Sequence, residues 1–381
     1  MSMLPLNVAS DRSVRRTRGF SIVELMVAVT LALIVTAAVL AAFLGSRSSF
    51  MSTSGLAEVS DNGRFALDFL QSAIRGAGYM ACNTTHSQLS LLNASPSPVY
   101  YNYGQPLGGY EAANTLSNPI TLATPPVTPD SSTGDWQAST GPAWGGGGLD
   151  PALVSPTPLV IKNTDVLVVN SSLRSTYPPA IVTSIVTGAS SFQVGNVYNL
   201  AGGQIAAISD CSKSVVFQIQ RVTGTTVQFA TSGSPGNTAA SFPVSFQIGS
   251  QVTPVDTTVF YIGKGADGDG ALFSYDMNGT GAFQTATELV PDIEAMQILY
   301  GVDTTGTQTV STYVPAIQVV DFNTVMSVKI AVLAASQPGA VPKPTILPTY
   351  NLLGNTVTPA VADTRARQVF EITVSIRNME N

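Results

Sequence analysis

Histidine occurs once in this chain, at His86, and cysteine only twice, at Cys82 and Cys211. That inventory excludes a Cys/His zinc set and leaves a His-dependent catalytic triad little to draw on. Charge is scarce too: charged residues make up 10% of the 381 positions, and the formal net charge is −6. A weakly charged, acidic chain has no electrostatic footprint for nucleic acid. No Gly-x-Ser-x-Gly elbow, phosphate loop or paired-acid signature occurs, so neither an enzymatic activity nor a cofactor is expected. Proline is missing between Pro5 and Pro96, and nothing in that stretch forces a helix to break.

What fills that proline-free stretch is a long apolar run. From Ile22 to Leu44 the only charge is Glu24. A helix of that length covers roughly 35 Å, enough for a hydrocarbon core of about 30 Å. Arg12, Arg15, Arg16 and Arg18 precede it, and by the positive-inside rule they keep that flank cytoplasmic. The rest of the chain is then exported. A carboxylate in a membrane span costs about 2.5–3.5 kcal/mol at the centre and less near the edge. A plain anchor has no reason to accept it. A cleaved secretory signal, ending near Val39-Leu40-Ala41, would have a shorter apolar core and no acid at its start.

The run Gly19-Phe20-Ser21-Ile22-Val23-Glu24-Leu25 resembles the processing and assembly signal of type IV prepilins. The resemblance implies that prepilin peptidase cleaves between Gly19 and Phe20, that Phe20 becomes N-methylated, and that its new amine neutralises Glu24 of a neighbouring subunit. Such a pair sets axial register more than it adds stability. Removal of the 1–19 leader leaves 13 basic and 22 acidic residues, a net of −9.

Beyond the span, 46–76 reads as an amphipathic continuation of the same helix, about 55 residues in all. Leu56, Val59, Gly63, Leu67, Leu70 and Ile74 recur at spacings of three and four, with Phe65 and Phe69 widening the apolar face. Gly76 and Gly78 supply the stop. A coiled-coil seam is the competing reading of this stripe. Residues 79–381 form a β-rich globular region. Within it 95–158 is rich in Pro, Gly, Ser and Thr and reads as a long surface loop, with Trp136 and Trp144 offering a contact surface or packing back. Strand-like runs are expected at 159–161, 165–169, 180–186, 192–197, 215–222, 225–229, 244–248, 325–333 and 369–376. A hairpin spans 257–262 and 271–275, and 288–302 is a helical turn or a strand.

An even pair of cysteines outside the cytoplasm favours a Cys82–Cys211 disulfide that pins helix to sheet, against two thiols in separate core positions. Asp267 and Asp269, in Asp-Gly-Asp-Gly, are weak candidates for a metal, with a plain hairpin turn the simpler reading. His86, in a polar loop, reads as exposed and idle.

The segments Asn62-Gly-Arg-Phe-Ala-Leu-Asp-Phe-Leu70, Ser209-Asp-Cys211, Met296-Gln-Ile-Leu-Tyr-Gly-Val-Asp303 and Arg367-Gln-Val-Phe-Glu-Ile-Thr-Val-Ser-Ile-Arg377 resemble PilW-type minor pilins. The fold so implied is α+β and pilin-like: a long N-terminal helix packed on a large antiparallel β-rich region. The implied function is that of a minor pilin in the complex that primes type IV pilus assembly and sits at the tip. Its partners would be prepilin peptidase, other minor pilins, the major pilin, the inner-membrane assembly platform and a large tip adhesin. The protein would cross the inner membrane once and then join the pilus. In such relatives the stretch after Tyr-Gly-Val-Asp often carries further acids resembling a calcium loop; here Asp303 is alone. Alternatives are a type II secretion pseudopilin, related to the J-type, an adhesive module using the Trp136/Trp144 loop, and an anchored periplasmic enzyme.

Overall fold

A computed structural model describes residues 19–82, 88–93, 101–112, 120–122, 135–138, 148–149, 160–172, 177–198, 200–277 and 284–377. His86 and Trp144 lie outside the described residues, as does most of the expected 95–158 loop. The chain divides into two compact units between Met51 and Ser52.

In the first unit a single helix, α1 (Ile22–Arg75), starts, and its side chains are exposed as far as Phe50. The polar groups of the span satisfy themselves within the helix. Thr30 Oγ1 donates to the carbonyls of Met26 and Val27 at 3.0 and 2.9 Å, and Thr36 Oγ1 donates to Ala32 at 2.7 Å.

The second unit holds the rest of α1 and all the strands. The buried face of α1 is Gly55, Val59, Gly63, Ala66, Leu67, Leu70 and Ile74. The expected stripe is corrected here: Leu56, Phe65 and Phe69 are 52%, 57% and 45% exposed. The face is centred on small residues because the helix must come close to what it covers. A Cβ on Gly63 would clash with the edge of the Phe370 ring, and one on Gly55 would lie 2.5 Å from Ala340 Cβ. Gly78, at φ +71°, ends the helical path.

The strands run β1 (Gln88–Ser90), β2 (Leu107–Ala112), β3 (Ile120–Thr121), β4 (Trp136–Ala138) and β5 (Val166–Ser171). Next come β6 (Ala180–Ile185), β7 (Ser191–Val194), β8 (Ile205–Ser209), β9 (Ser214–Thr223), β10 (Thr226–Phe229) and β11 (Gln251–Pro254). The chain then forms β12 (Asp256–Lys264), β13 (Gly270–Met277), β14 (Thr287–Pro291), β15 (Ile293–Val302) and β16 (Thr312–Val314). It ends with β17 (Val325–Ala335), β18 (Tyr350–Leu352), β19 (Asn355–Thr358) and β20 (Arg367–Ser375). Expected strand 244–248 is not one: Phe242 and Phe246 there turn inward to plug an aromatic core. Conversely, β2, β3 and β4 fall inside the stretch read as loop. β2 is buried along its whole length, because sheets cover it in a way no local pattern reveals.

Four-stranded sheet β16-β15-β17-β20 is antiparallel throughout. Val328, Ile330 and Val332 share one apolar cluster with the buried face of α1, while Ala331 and Leu333 join Leu352 and Val357 of the small sheet β18-β19-β3. A six-stranded antiparallel sheet runs β14-β13-β12-β5-β2-β4. The remaining strands close on themselves: β9-β10-β7-β6-β11-β8 returns to β9, and β1 lies parallel beside β9. This six-stranded barrel has its own core, with Phe192, Phe217, Phe229 and Phe242 in mutual ring contact.

Candidate functional site

Gly19 and Phe20 lie just ahead of the helix, and Phe20 is 85% exposed. Ser21 is the residue before the first helical one. Its Oγ accepts from the amide of Val23 at 3.3 Å, while Glu24 Oε2 accepts from the amide of Ser21 at 3.2 Å. That is a reciprocal capping box, in which two side chains satisfy amides the first turn leaves bare. The signal was present in the sequence as Ser-x-x-Glu. Charge alone does not reveal this second role of the carboxylate.

Past the helix, Cys82 is bonded to Cys211, with Cα atoms 4.6 Å apart. Cys211, at φ +69°, sits in the turn between β8 and β9. The bond ties the segment after the helix to the barrel. Beside it Asp210 gathers the amides of Ser212 and Lys213, the Ser212 hydroxyl and Lys213 Nζ at 2.5 Å. Burial opposes ionisation there, but the Lys213 and Ser212 bonds outweigh it and hold the Asp210 carboxyl below its usual range.

Asp267 and Asp269 occupy the hairpin turn between β12 and β13, where Gly265 N–H donates to Asp269 O at 2.7 Å. The fold brings Asp292 to them, and one carboxylate oxygen from each lies within 4.8 Å of the others. Sequence spacing could not find Asp292, which arrives from the β14–β15 corner. The positive charge at this cluster comes from Arg365, whose NH2 is 2.6 Å from Asp269 and whose NH1 is 3.7 Å from Asp292. Gln337 Nε2 donates to Asp292 and Asp267. Burial, then the Asp267 charge, pushes the Asp292 carboxyl up to about 6, with Gln337 opposing, Glu58 adding to the rise and Arg365 opposing it. A hard cation wanting six to eight oxygens would have to displace this guanidinium.

Asp303, in the β15–β16 turn, spends its carboxylate on the amides of Thr305, Gly306 and Gln308 and the Thr305 hydroxyl. The chain's own N–H groups thus hold the loop. Trp136 is not a contact surface either. It is 1% exposed, and its Nε1 donates to the Thr164 carbonyl at 2.8 Å. Next to Thr164, Asp165 is buried with Glu111, its oxygens accepting from the amides of Ala112 and Ile298 at 3.0 and 2.8 Å. Burial, then Glu111, drives the Asp165 carboxyl well above the usual range.

The features in hand are a capped, exposed apolar helix headed by Gly19-Phe20 and a β-rich globular unit closed by β12–β20. Residues 14–40 match the prokaryotic N-terminal methylation motif. Residues 259–378 match the family described as type IV pilus-assembly protein W. At its N-terminus the chain is thus similar to type IV prepilins, and in its C-terminal third to the PilW family of pilus-assembly proteins. The PilW match covers β12 to β20 and stops short of the barrel. No curated protein matches the chain. A type IV-like pilin from Thermus thermophilus is 18% identical over 48% of this chain and 87% of its own, at a TM-score of 0.23, so the assignment rests on the two sequence matches. PilW-family chains take part in pilus assembly, and the N-terminal motif is that of a prepilin peptidase substrate. That motif and the apolar helix fit a single-pass inner-membrane anchor whose globular C-terminal part is later incorporated into a pilus.

Proposed function

We propose that this protein is a minor pilin of the complex that primes type IV pilus assembly and that it occupies the pilus tip. In this reading 1–19 is the leader, 20–78 the helix and 79–381 the extracytoplasmic head. Cleavage falls between Gly19 and Phe20, Phe20 is N-methylated, and Glu24 sets subunit register. Its partners are other minor pilins, the major pilin, the assembly platform and a large tip adhesin.

The observation that carries the reading is the size of the head. A compact body of about 300 residues has a radius of gyration near 20 Å and so a width of about 50 Å. Packed apolar helices stand only about 8–10 Å apart. Heads of that width crowd a continuous homopolymer but meet no obstruction at a filament end. The head's role is structural. Partner choice rests on its surface, since an apolar helix is promiscuous among helices of the same kind.

A clean deletion tests this. Pilus number per cell, and with it twitching, should fall far more than the composition of the remaining pili changes. Purified head lacking the span should bind the heads of neighbouring minor pilins. Wild-type piliation in the deletion would sink the proposal.

A further inference from the structure

The barrel β6–β11 is an excursion from the pilin sheet. Ser171 at the end of β5 lies directly opposite Asp256 at the start of β12. A tight hairpin would serve the sheet equally well, yet the chain builds a closed barrel with its own aromatic core between these two residues. Strand pairing in the sheet does not require it, and the PilW match begins after it.

Its surface chemistry is unusual for this protein. Residues 177–255 contain three charged side chains, Asp210, Lys213 and Arg221, of which the first two pair with each other. The rest of the exposed surface is mostly hydroxyl, amide and backbone, with Ile181, Val186 and Ile248 also exposed. On it Tyr177 and Tyr198 stack with ring centroids 6.2 Å apart and an interplanar angle of 30°, while remaining 51% and 42% exposed. The β7–β8 loop that carries Tyr198 continues to Gly203, on the wall of a cleft of about 250 Å³. Gln220 and Ser232 line that cleft, hydrogen-bonded to each other at 2.9 Å. Five residues span at most about 17 Å, so ring platform and polar cleft lie within reach of one extended ligand.

We propose that this barrel is a binding module for neutral oligosaccharides, with Tyr177 and Tyr198 as the stacking platform and the Gln220/Ser232 cleft as the hydroxyl-reading end. A sugar offers what this surface lacks a use for elsewhere: C–H faces for aromatic rings, and uncharged hydroxyls for amides that donate and accept. A charged ligand finds almost no counter-charge here.

Full-length protein in detergent, offered an array of neutral, sialylated and sulfated oligosaccharides, tests the proposal. Neutral glycans should be retained equally at low and high salt, since no ion pair is involved. Tyr177→Ala and Tyr198→Ala should each weaken retention about tenfold, while Tyr177→Phe and Tyr198→Phe keep it within a factor of about three. Thermal melting of each variant checks that the fold is kept, and the Phe variants carry the test if an Ala variant does not fold. Pilus number should stay normal in the Phe and Ala variants, separating failure here from failure of the priming role. Retention of no glycan, retention of acidic glycans alone, or Ala variants binding like the parent would overturn it. Loss of a neighbouring pilin from pull-downs by the Ala variants, with no glycan bound, would overturn it in favour of a protein contact.

Discussion

Glu24 accepts the amide hydrogen of Ser21 at 3.2 Å, while Ser21 Oγ accepts that of Val23. The carboxylate therefore has work to do in its own helix as well as the proposed work toward a neighbour's Phe20 amine. The two tasks separate by substitution. Glu24→Gln keeps the acceptor and removes the charge, so the helix start should survive while the charge pair is lost. Hydrogen exchange at 21–25 should match the parent, and recovery of partner pilins should fall severalfold. Ser21→Ala should do the reverse, fraying the first turn at a cost of about 1 kcal/mol with partners retained. Normal partner recovery with Glu24→Gln would leave capping as the role of this residue.

Gly63 and Phe370 make a second close relationship, since the ring fills the place a Cβ would take. Gly63→Leu should destabilise the globular unit by about 1–3 kcal/mol through overpacking. Leu56→Ala, on the exposed side of α1, should change stability by no more than about 0.5 kcal/mol. Denaturant titration of the two variants checks this; equal midpoints would contradict the observed helix face.

Val59, Gly63, Leu67, Leu70 and Ile74 were visible as a stripe. Apolar spacing alone also includes Leu56, Phe65 and Phe69, which stay exposed. Gly55 and Ala66, which close contact demands, carry no such signal because they are small. The same limit applied to Trp136: its loop-like neighbourhood hid β2 and β4, because their burial comes from pairing with β5 and each other. Barrel closure depends on β8 meeting β9 and β11 together, a fact of register that no single segment carries. The N-terminal motif, by contrast, is contiguous in sequence and so open to recognition by resemblance, and residues 14–40 match the N-terminal methylation motif.

The Cys82–Cys211 bond closes a separation of 129 residues. In the chain-entropy picture a loop of this size is worth up to about 4–5 kcal/mol. Cys82→Ser and Cys211→Ser should each lower the melting temperature by several degrees, and protease should then cut within or beside the barrel before the four-stranded sheet. Non-reducing peptide mapping should recover the two cysteine peptides joined. Full alkylation of both thiols without reductant would refute the pairing.

The acids buried around Asp292 and Asp165 make stability depend on pH in a definite direction. The Asp292 carboxyl is pushed up to about 6 in the fold, by burial first and then by Asp267 and Glu58 against Gln337 and Arg365. In the unfolded chain it titrates near the usual aspartate value of about 3.9. The folded state then holds the proton more tightly. Its contribution to stability is complete below about pH 4 and lost as pH rises through about 6. Asp165 shifts the same way, from burial and then Glu111, and adds to the loss of stability as pH rises. Asp292→Asn is a clean probe, because the backbone there has φ +58°, a conformation asparagine tolerates as well as aspartate. Melting temperature measured from pH 4 to pH 8 should decline with rising pH in the parent. In Asp292→Asn the decline between pH 4 and 6 should shrink by a few degrees, and Glu111→Gln, which removes a charge that raises Asp165, should also make the decline shallower. A parent whose melting temperature rises across pH 4 to 6, or an Asp292→Asn profile parallel to the parent's, would contradict this assignment of the titrating groups.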